Sequence, residues 1–278
     1  MKFPIIFSIL LTSLVVSCKN DNPKLVKEKE SKSTTEIAQV FQNKGHEIVY
    51  NMVQKVGNYD QLSKKKDVIY TYTYQTPDGK TDTSTEKYIF DGELSYGSYS
   101  KHERTLANLT GLIEQGYDGK TYWLKHEGTF SDNEAYIKRA AFNRPTNFYW
   151  FTMFQKMLDP GLNYEFIEEK TIDNKIYNVV KVSFTSKDDK PTDIYQLYIN
   201  KETNLVDQFL FTVADFGKMD NPSLMKPQYE KIDDLLIPTK RQYKRSNWSA
   251  EESDLPWIKV SWTNIKFNNN LSQSDFEK

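Results

Sequence analysis

A single cysteine in 278 residues rules out a disulfide framework within the chain. The three histidines, His46, His102 and His126, have no His-Glu-x-x-His or similar spacing and no cysteine beside them, so they offer no zinc arrangement. His46 lies on a helical stretch and the other two in strand-like ones, where a hydrogen-bonded structural histidine is the ordinary case. No metal and no cofactor is expected. There is no Gly-x-Ser-x-Gly elbow and no glycine-rich phosphate-cradling loop after a strand. Asp215-Phe216-Gly217 repeats a kinase tripeptide without the other kinase motifs. Glu168-Glu169 and Asp188-Asp189 are adjacent carboxylates, which an extended chain points to opposite faces instead of converging as an acid/base pair. No catalytic residue emerges, and the chain reads as a non-enzyme. Nor is there an excess of charge. Lys+Arg 37 stands against Asp+Glu 38 with no basic stripe, which implies neither nucleic acid nor an anionic lipid surface as partner. What the chain does have is rings: 14% aromatic, with 18 Tyr, 16 Phe and 5 Trp, enough to build a core or line a binding surface.

The one cysteine is placed informatively. Lys2 supplies a positive start, an apolar segment runs from Phe3 to Leu14-Val15-Val16, and small Ser17 precedes Cys18. The segment is too short to span a bilayer. It resembles a bacterial lipoprotein signal, with Cys18 as the residue that receives lipid. An ordinary secretory signal with an incidental cysteine, or an uncleaved anchor, remain as alternatives, and all three place the chain outside the cytoplasm. Residues 1–17 are thus expected to be a signal peptide and 18–33 an acylated cysteine with a flexible tether. Residues 34–278 are expected to be one domain. The tether has no aromatic residue to bury, and fully extended at about 3.1 Å per residue it reaches roughly 45 Å. The membrane is then a partner through the lipid anchor, in the bacterial envelope and at the outer membrane, with the face left open. Protein partners stay unknown.

Ser33-Thr34-Thr35-Glu36 fits a capping box, and Ile37, Phe41, Ile48, Met52 and Val56 recur at helical spacing. After Gly57 the period changes to two, with Val68, Tyr70, Tyr72 and Tyr74 on one side of a strand. Turn signals at Asp78-Gly79, Asp91-Gly92, Asp118-Gly119, Asp173-Asn174 and Asn200 to Asn204 separate further strand-like runs, which predicts a meander of antiparallel hairpins. No propeller or solenoid period is visible. The fold class is therefore mainly β (α+β), a single curved antiparallel sheet. Residues 133–158 interrupt it with helical patterning that Pro145 is expected to divide in two, Thr146 or Asn147 capping the second half. That half, Phe148 to Leu158, is apolar on nearly every side, as an enclosed helix or a cavity wall would be. Residues 216–227, with two prolines, read as a long loop able to cover a mouth.

This order of elements resembles the LolA-like and LolB-like lipoprotein-carrier fold. Tyr117-Asp118-Gly119-Lys120-Thr121-Tyr122-Trp123 is similar to that family's hairpin, Tyr195 to Leu205 to its strand-turn-strand, and Asp234-Leu-Leu-Ile237-Pro238-Thr239-Lys240 to its late strand entry. The chain also looks like a Bacteroidota-type lipoprotein group of uncharacterised function with the same motifs. The resemblance implies an unclosed half-barrel wrapped around helices, with a concave apolar face that receives acyl chains or another hydrophobic small molecule. Residues 68–75 contain no arginine to match the carrier's functional one. The candidate ligand wall is Phe148, Trp150, Phe151, Phe154 and Met157, with Tyr70, Tyr72 and Tyr74 opposite. Core packing is the competing reading for the same residues. An alternative function is carbohydrate binding or processing, with Trp248 and Trp257 flanking the acidic loop Glu251-Glu252-Ser253-Asp254. A structural role in an envelope assembly is the third. Rings inside a concave face favour lipid, and rings on a convex one favour glycan.

Overall fold

The computed structural model describes residues 39–186 and 190–278. Cys18, the tether, the capping box at Ser33 to Glu36, Ile37 and Asp188-Asp189 lie outside the described residues. Helix α1 (Lys44–Val56) starts at Asn43, whose side chain accepts from the His46 amide, and stops at Gly57, where φ is 92°. Its buried stripe is Val49, Met52, Val53 and Val56, spacings of three and four residues that put one face on the sheet. A short α2 (Tyr59–Ser63) follows, started by an Asn58/Gln61 capping box.

Thirteen described strands form one antiparallel sheet. The first meander is β1 (Asp67–Gln75), β2 (Thr81–Ile89), β3 (Leu94–His102), β4 (Ile113–Tyr117), β5 (Tyr122–His126) and β6 (Thr129–Phe130). The second is β7 (Leu162–Ile172), β8 (Lys175–Phe184), β9 (Ile194–Asn200), β10 (Val206–Val213), β11 (Lys218–Ile232), β12 (Leu235–Arg245) and β13 (Ile258–Phe267). Each meander runs in sequence order, and the two join where β13 pairs with β1 in the middle of the sheet. The edges are β6 and β7, so the sheet is open and not a closed barrel. The expected turn pairs all fall between paired strands. They work because they hold the left-handed backbone that such turns need: φ is 85° at Gly79, 92° at Gly119 and 63° at Asn174. The Tyr195 to Leu205 and Asp234 to Lys240 motifs likewise coincide with the β9–β10 hairpin and the start of β12.

Helix α3 (Glu134–Thr152) connects the two edges, leaving β6 and delivering the chain to β7. At about 1.5 Å per residue it spans roughly 28 Å across the concave side. Two expectations are corrected here. Pro145 does not divide the helix: α3 runs through it and ends at Thr152, so Met153 to Leu158, expected to continue the helix, form a turn that carries Phe154 and Met157. The residues around the proline are pinned by tertiary bonds. Arg144 binds Glu86 at 2.8 Å, Asn143 donates to Gln115 at 3.2 Å, and Ser95 donates to the Arg144 carbonyl at 3.3 Å. These bonds offset the one helical hydrogen bond that proline removes. Residues 216–227 are not a long loop either. After a 3-10 turn (Ala214–Phe216) they enter β11. Both prolines sit where the ladder to β10 is absent: Pro222 lies in the irregularity between the Val213–Lys218 and Phe211–Ser223 pairs, and Pro227 lies beyond Met225, the last residue paired to β10.

The C-terminal segment is tied back to the sheet centre by buried Asp67. Its carboxylate accepts from the Asn269 amide at 2.7 Å, the Asn269 side chain at 2.8 Å and the Leu271 amide at 3.1 Å. Beyond it, the Phe276 carbonyl accepts from Trp123 Nε1 at 2.7 Å. Asp67→Ala strands these donors and is expected to cost about 1–3 kcal/mol, read as faster hydrogen exchange at the Asn269 and Leu271 amides ahead of global opening.

Candidate functional site

The concave face carries the rings. Tyr70 lies 4.9 Å from Phe151, and Trp262 lies 5.2 Å from Phe151 and 5.7 Å from Tyr70. Phe148 meets Tyr88 at 5.3 Å. Trp150 turns the other way, 5.1 Å from Phe211, and Phe154 packs between Phe209 at 5.7 Å and Tyr229 at 5.9 Å. The expected wall is therefore split over two clusters. Phe148 and Phe151 join Tyr70 on the β1, β2 and β13 side, while Phe154 and Met157 join the β7–β11 side. Trp150 touches both. Tyr70, Phe148, Phe151, Phe154 and Met157 are buried, and Tyr72, Tyr74 and Trp150 are half-buried. Tyr74 is not among the α3 rings: its hydroxyl bonds Tyr243, and the Arg104 guanidinium stacks 4.0 Å over its ring.

Two buried arginines share this face, and neither is among the expected site residues. Arg144, fully buried on α3, binds Glu86 of β2 through two nitrogens, at 2.8 and 3.3 Å, and donates to the Tyr99 hydroxyl at 3.0 Å. Ser84 and Tyr88 also donate to Glu86, and Tyr70 bonds Tyr88 at 2.9 Å, giving one chain of bonds from β1 to β3. Burial works against the Arg144 charge, but Glu86 and the nearby phenols more than offset it, and its pKa lies above the usual arginine value. Gly97 makes room for the guanidinium, since a Cβ there would stand 2.4 Å from Arg144 Nη1. Gly97→Ala is expected to displace that guanidinium and cost about 1–3 kcal/mol by overpacking, measured as a lower denaturant midpoint with unchanged slope.

Arg241 of β12 has a different setting. Its Nη2 donates to the Trp150 carbonyl at 2.6 Å and its Nε to the Pro238 carbonyl at 3.4 Å. Its Cζ sits 4.2 Å from the Trp262 ring and 5.4 Å from the Trp150 ring. It is 4% exposed, and among the described residues no carboxylate pairs with it. Burial, partly countered by the phenols of Tyr229, Tyr70, Tyr72 and Tyr195, pushes its pKa down to about 10, so it is still charged at neutral pH. Among the described residues, buried polar atoms without hydrogen-bond partners include Trp262 Nε1 on β13, Thr239 Oγ1 two residues before Arg241, and both amide atoms of Gln155 in the turn after α3, besides His102 Nδ1, Gln115 Nε2 and Arg144 Nε elsewhere. The alternation Leu235, Ile237, Thr239, Arg241, Tyr243 was the available signal, because it carries a cation onto the face of two buried aliphatics.

The convex face has its own small cluster. Trp248 and Trp257 are half-buried against Tyr177, Val179, Tyr198, Leu210 and Leu224, and Lys244 lies 4.3 Å over Trp257. In the acidic loop Glu252 pairs with Lys226 and Lys244, and Glu251 accepts from Asn247. The histidines have structural partners: His46 stacks on Tyr164 at 4.7 Å, and His102 and His126 bond the carbonyls of Gly111 and Thr110. Among the described residues no group of three His, Cys, Asp or Glu side chains is placed to hold a metal. No described helix is long and apolar enough to cross a membrane.

An open antiparallel sheet wrapped around one crossing helix, its concave face aromatic, defines a half-barrel protein of the α+β class. The chain belongs to a family of unknown function, DUF6503, whose model matches residues 5–223. No curated protein matches it. Among solved structures it is similar to a DUF1329 family protein from Desulfovibrio piger, with a TM-score of 0.50 and 15% identity over 84% of this chain and 95% of that one. A putative outer membrane lipoprotein-sorting protein domain from Vibrio parahaemolyticus matches with a TM-score of 0.47 and 12% identity, over 84% of this chain and 96% of its own. A LolA superfamily protein from Nitrosomonas europaea gives 0.45 and 12%, over 83% and 97%. The expected architecture, an unclosed antiparallel sheet wrapped around a helix, is borne out by the strand order itself.

Proposed function

We propose that this chain is a non-enzymatic binding protein of the bacterial envelope, tethered by lipid on Cys18, whose concave face takes the hydrophobic part of an amphiphile. An acyl chain or lipid would enter the layer that α3 now fills. The observation that carries this reading is the set of buried polar atoms without partners in an otherwise aromatic layer: Gln155, Thr239 and Trp262. A buried polar group left without a partner is costly in a finished core. A core that exchanges with a ligand leaves such groups for the ligand to meet. The position of the rings supports lipid over glycan, because those on the concave face dominate and Trp257 on the convex face is already covered by lysine. Exposed large apolar side chains such as Leu112, Ile176 and Leu255 come from separate elements and give the scaffold reading little to build on. Binding by area burial is worth roughly 25 cal/mol per Å², ample for a long chain against these rings.

Two measurements test the two parts. Titration with a dansylated fatty acid is expected to saturate at one site and to be reversed by unlabelled lipid; no saturable binding contradicts the ligand reading. Growth with alkyne-palmitate is expected to label the protein and to fail with Cys18→Ser; equal labelling of the variant contradicts the anchor.

A further inference from the structure

Arg241 is a buried cation with no anion against it among the described residues. Its described neighbours are two carbonyls, the Trp150 and Trp262 rings, and the phenols of Tyr70, Tyr72, Tyr195 and Tyr229. Phenols ionise well above neutrality, and burial raises those of Tyr70, Tyr72, Tyr195 and Tyr229 further. Carbonyl dipoles and ring faces ease the desolvation of a guanidinium without neutralising it. Two of its five N–H groups are engaged, by Pro238 and Trp150, which leaves donors on the terminal nitrogens. The unpartnered Thr239 hydroxyl lies on the same strand and face, and the unpartnered Trp262 N–H belongs to the ring under the guanidinium. The site is therefore a cation with nearby O–H and N–H donors, all at least nine-tenths buried, and with the Trp150 and Trp262 rings against the guanidinium.

Resting on the reading of the concave face as a hydrophobic-ligand site, we propose that the ligand is a long-chain fatty acid bound head inward, its carboxylate on Arg241 and within reach of Trp262 Nε1 and the Thr239 hydroxyl. A carboxylate suits the site for three reasons. It carries a single negative charge, which matches the single uncompensated positive one. It is flat and accepts through two oxygens, as a guanidinium requires. It is also the end of its molecule, so it can lead inward to a buried cation, whereas a phosphodiester phosphate carries substituents on both sides. A neutral ester or alcohol of the same chain would leave the arginine charge buried and unpaired.

The test compares 12-bromostearate, its methyl ester and a brominated phosphatidylglycerol as quenchers of tryptophan fluorescence in the full chain. The expected result is that the free acid binds at least about 30-fold more tightly than the ester, the scale on which a buried charge loses its partner. In Arg241→Met the acid and ester are expected to bind alike. Equal binding in the wild type, a preference for the phospholipid, or an acid preference that survives in Arg241→Met overturns the carboxylate assignment while leaving the hydrophobic site standing. Failure of all three probes removes the hydrophobic reading and the assignment with it. Should Arg241→Met not fold, the wild-type acid-to-ester ratio decides alone, and Arg241→Lys is expected to retain part of it.

Discussion

Glu86→Leu is expected to lower stability by about 3–5 kcal/mol, the scale for removing one member of a buried ion pair, and to drop the thermal midpoint by roughly 10 °C in a domain of this size. The argument is one of location. Glu86 and Arg144 are both fully buried, joined at 2.8 Å, and Glu86 also takes bonds from Ser84 and Tyr88. With leucine in its place the guanidinium keeps, among the described residues, only the bond to the Tyr99 hydroxyl, and its Nε has no described partner in the native fold. The companion variant sharpens the claim. Arg144→Met added to Glu86→Leu is expected to recover most of the loss, because the desolvation penalty of both charges disappears together. A double-mutant cycle reads this directly as a coupling between the two sites. A double variant as unstable as Glu86→Leu alone would show that the loss came from packing around β2 and not from the stranded charge.

Phe154→Ala is expected to have two effects of opposite sign. Removing a ring that is 1% exposed and wedged between Phe209 and Tyr229 costs about 3–5 kcal/mol in the free protein. If an acyl chain belongs in that layer, the space left by the ring extends its site and weakens the competing hold of the turn that follows α3. Added long-chain fatty acid should then raise the thermal midpoint more in Phe154→Ala than in the wild type, following the ordinary linkage of ligand to stability. A plain core cavity behaves otherwise: it accepts a benzene-sized molecule and gains nothing from a long chain. Phe154→Asp is the less informative substitution, since an uncompensated carboxylate at this depth is expected to prevent folding whatever the site does.

The sheet was legible because its signals are local. Alternating residues, and Asp-Gly or Asp-Asn pairs that tolerate the left-handed backbone, mark hairpins without help from the rest of the chain. What escaped depends on partners distant in sequence. Pro145 reads as a break, and only the bonds of Arg144 to Glu86 and Asn143 to Gln115 explain why the helix continues. Pro222 and Pro227 read as a loop, and only the gaps in the β10–β11 ladder explain why a strand accepts them. Apolar patterning marks the α3 rings as enclosed without saying which strands they face, and the alternation that puts Tyr74 beside Tyr70 hides its bond to Tyr243. The charged interior was hidden for a different reason. Asp82, Ser84 and Glu86 point inward from a strand whose outward residues are also polar, so no contrast between faces announces that one of them is buried. Arg241 was accessible to the same alternation that marks Leu235 and Ile237 as core.

The central claim is that the concave face, filled by α3 in the structure, exchanges that packing for a hydrophobic ligand in the cell. Native mass spectrometry of the full chain purified from its source cell, followed by lipid extraction of the same sample, tests it most directly. The account predicts one acyl-bearing molecule per protein, released on denaturation and lost on exhaustive delipidation, with protein that rebinds added fatty acid afterwards. Protein that arrives empty and stays empty when acyl probes are added would contradict it, and would return Phe148, Phe151 and Phe154 to the role of an ordinary core.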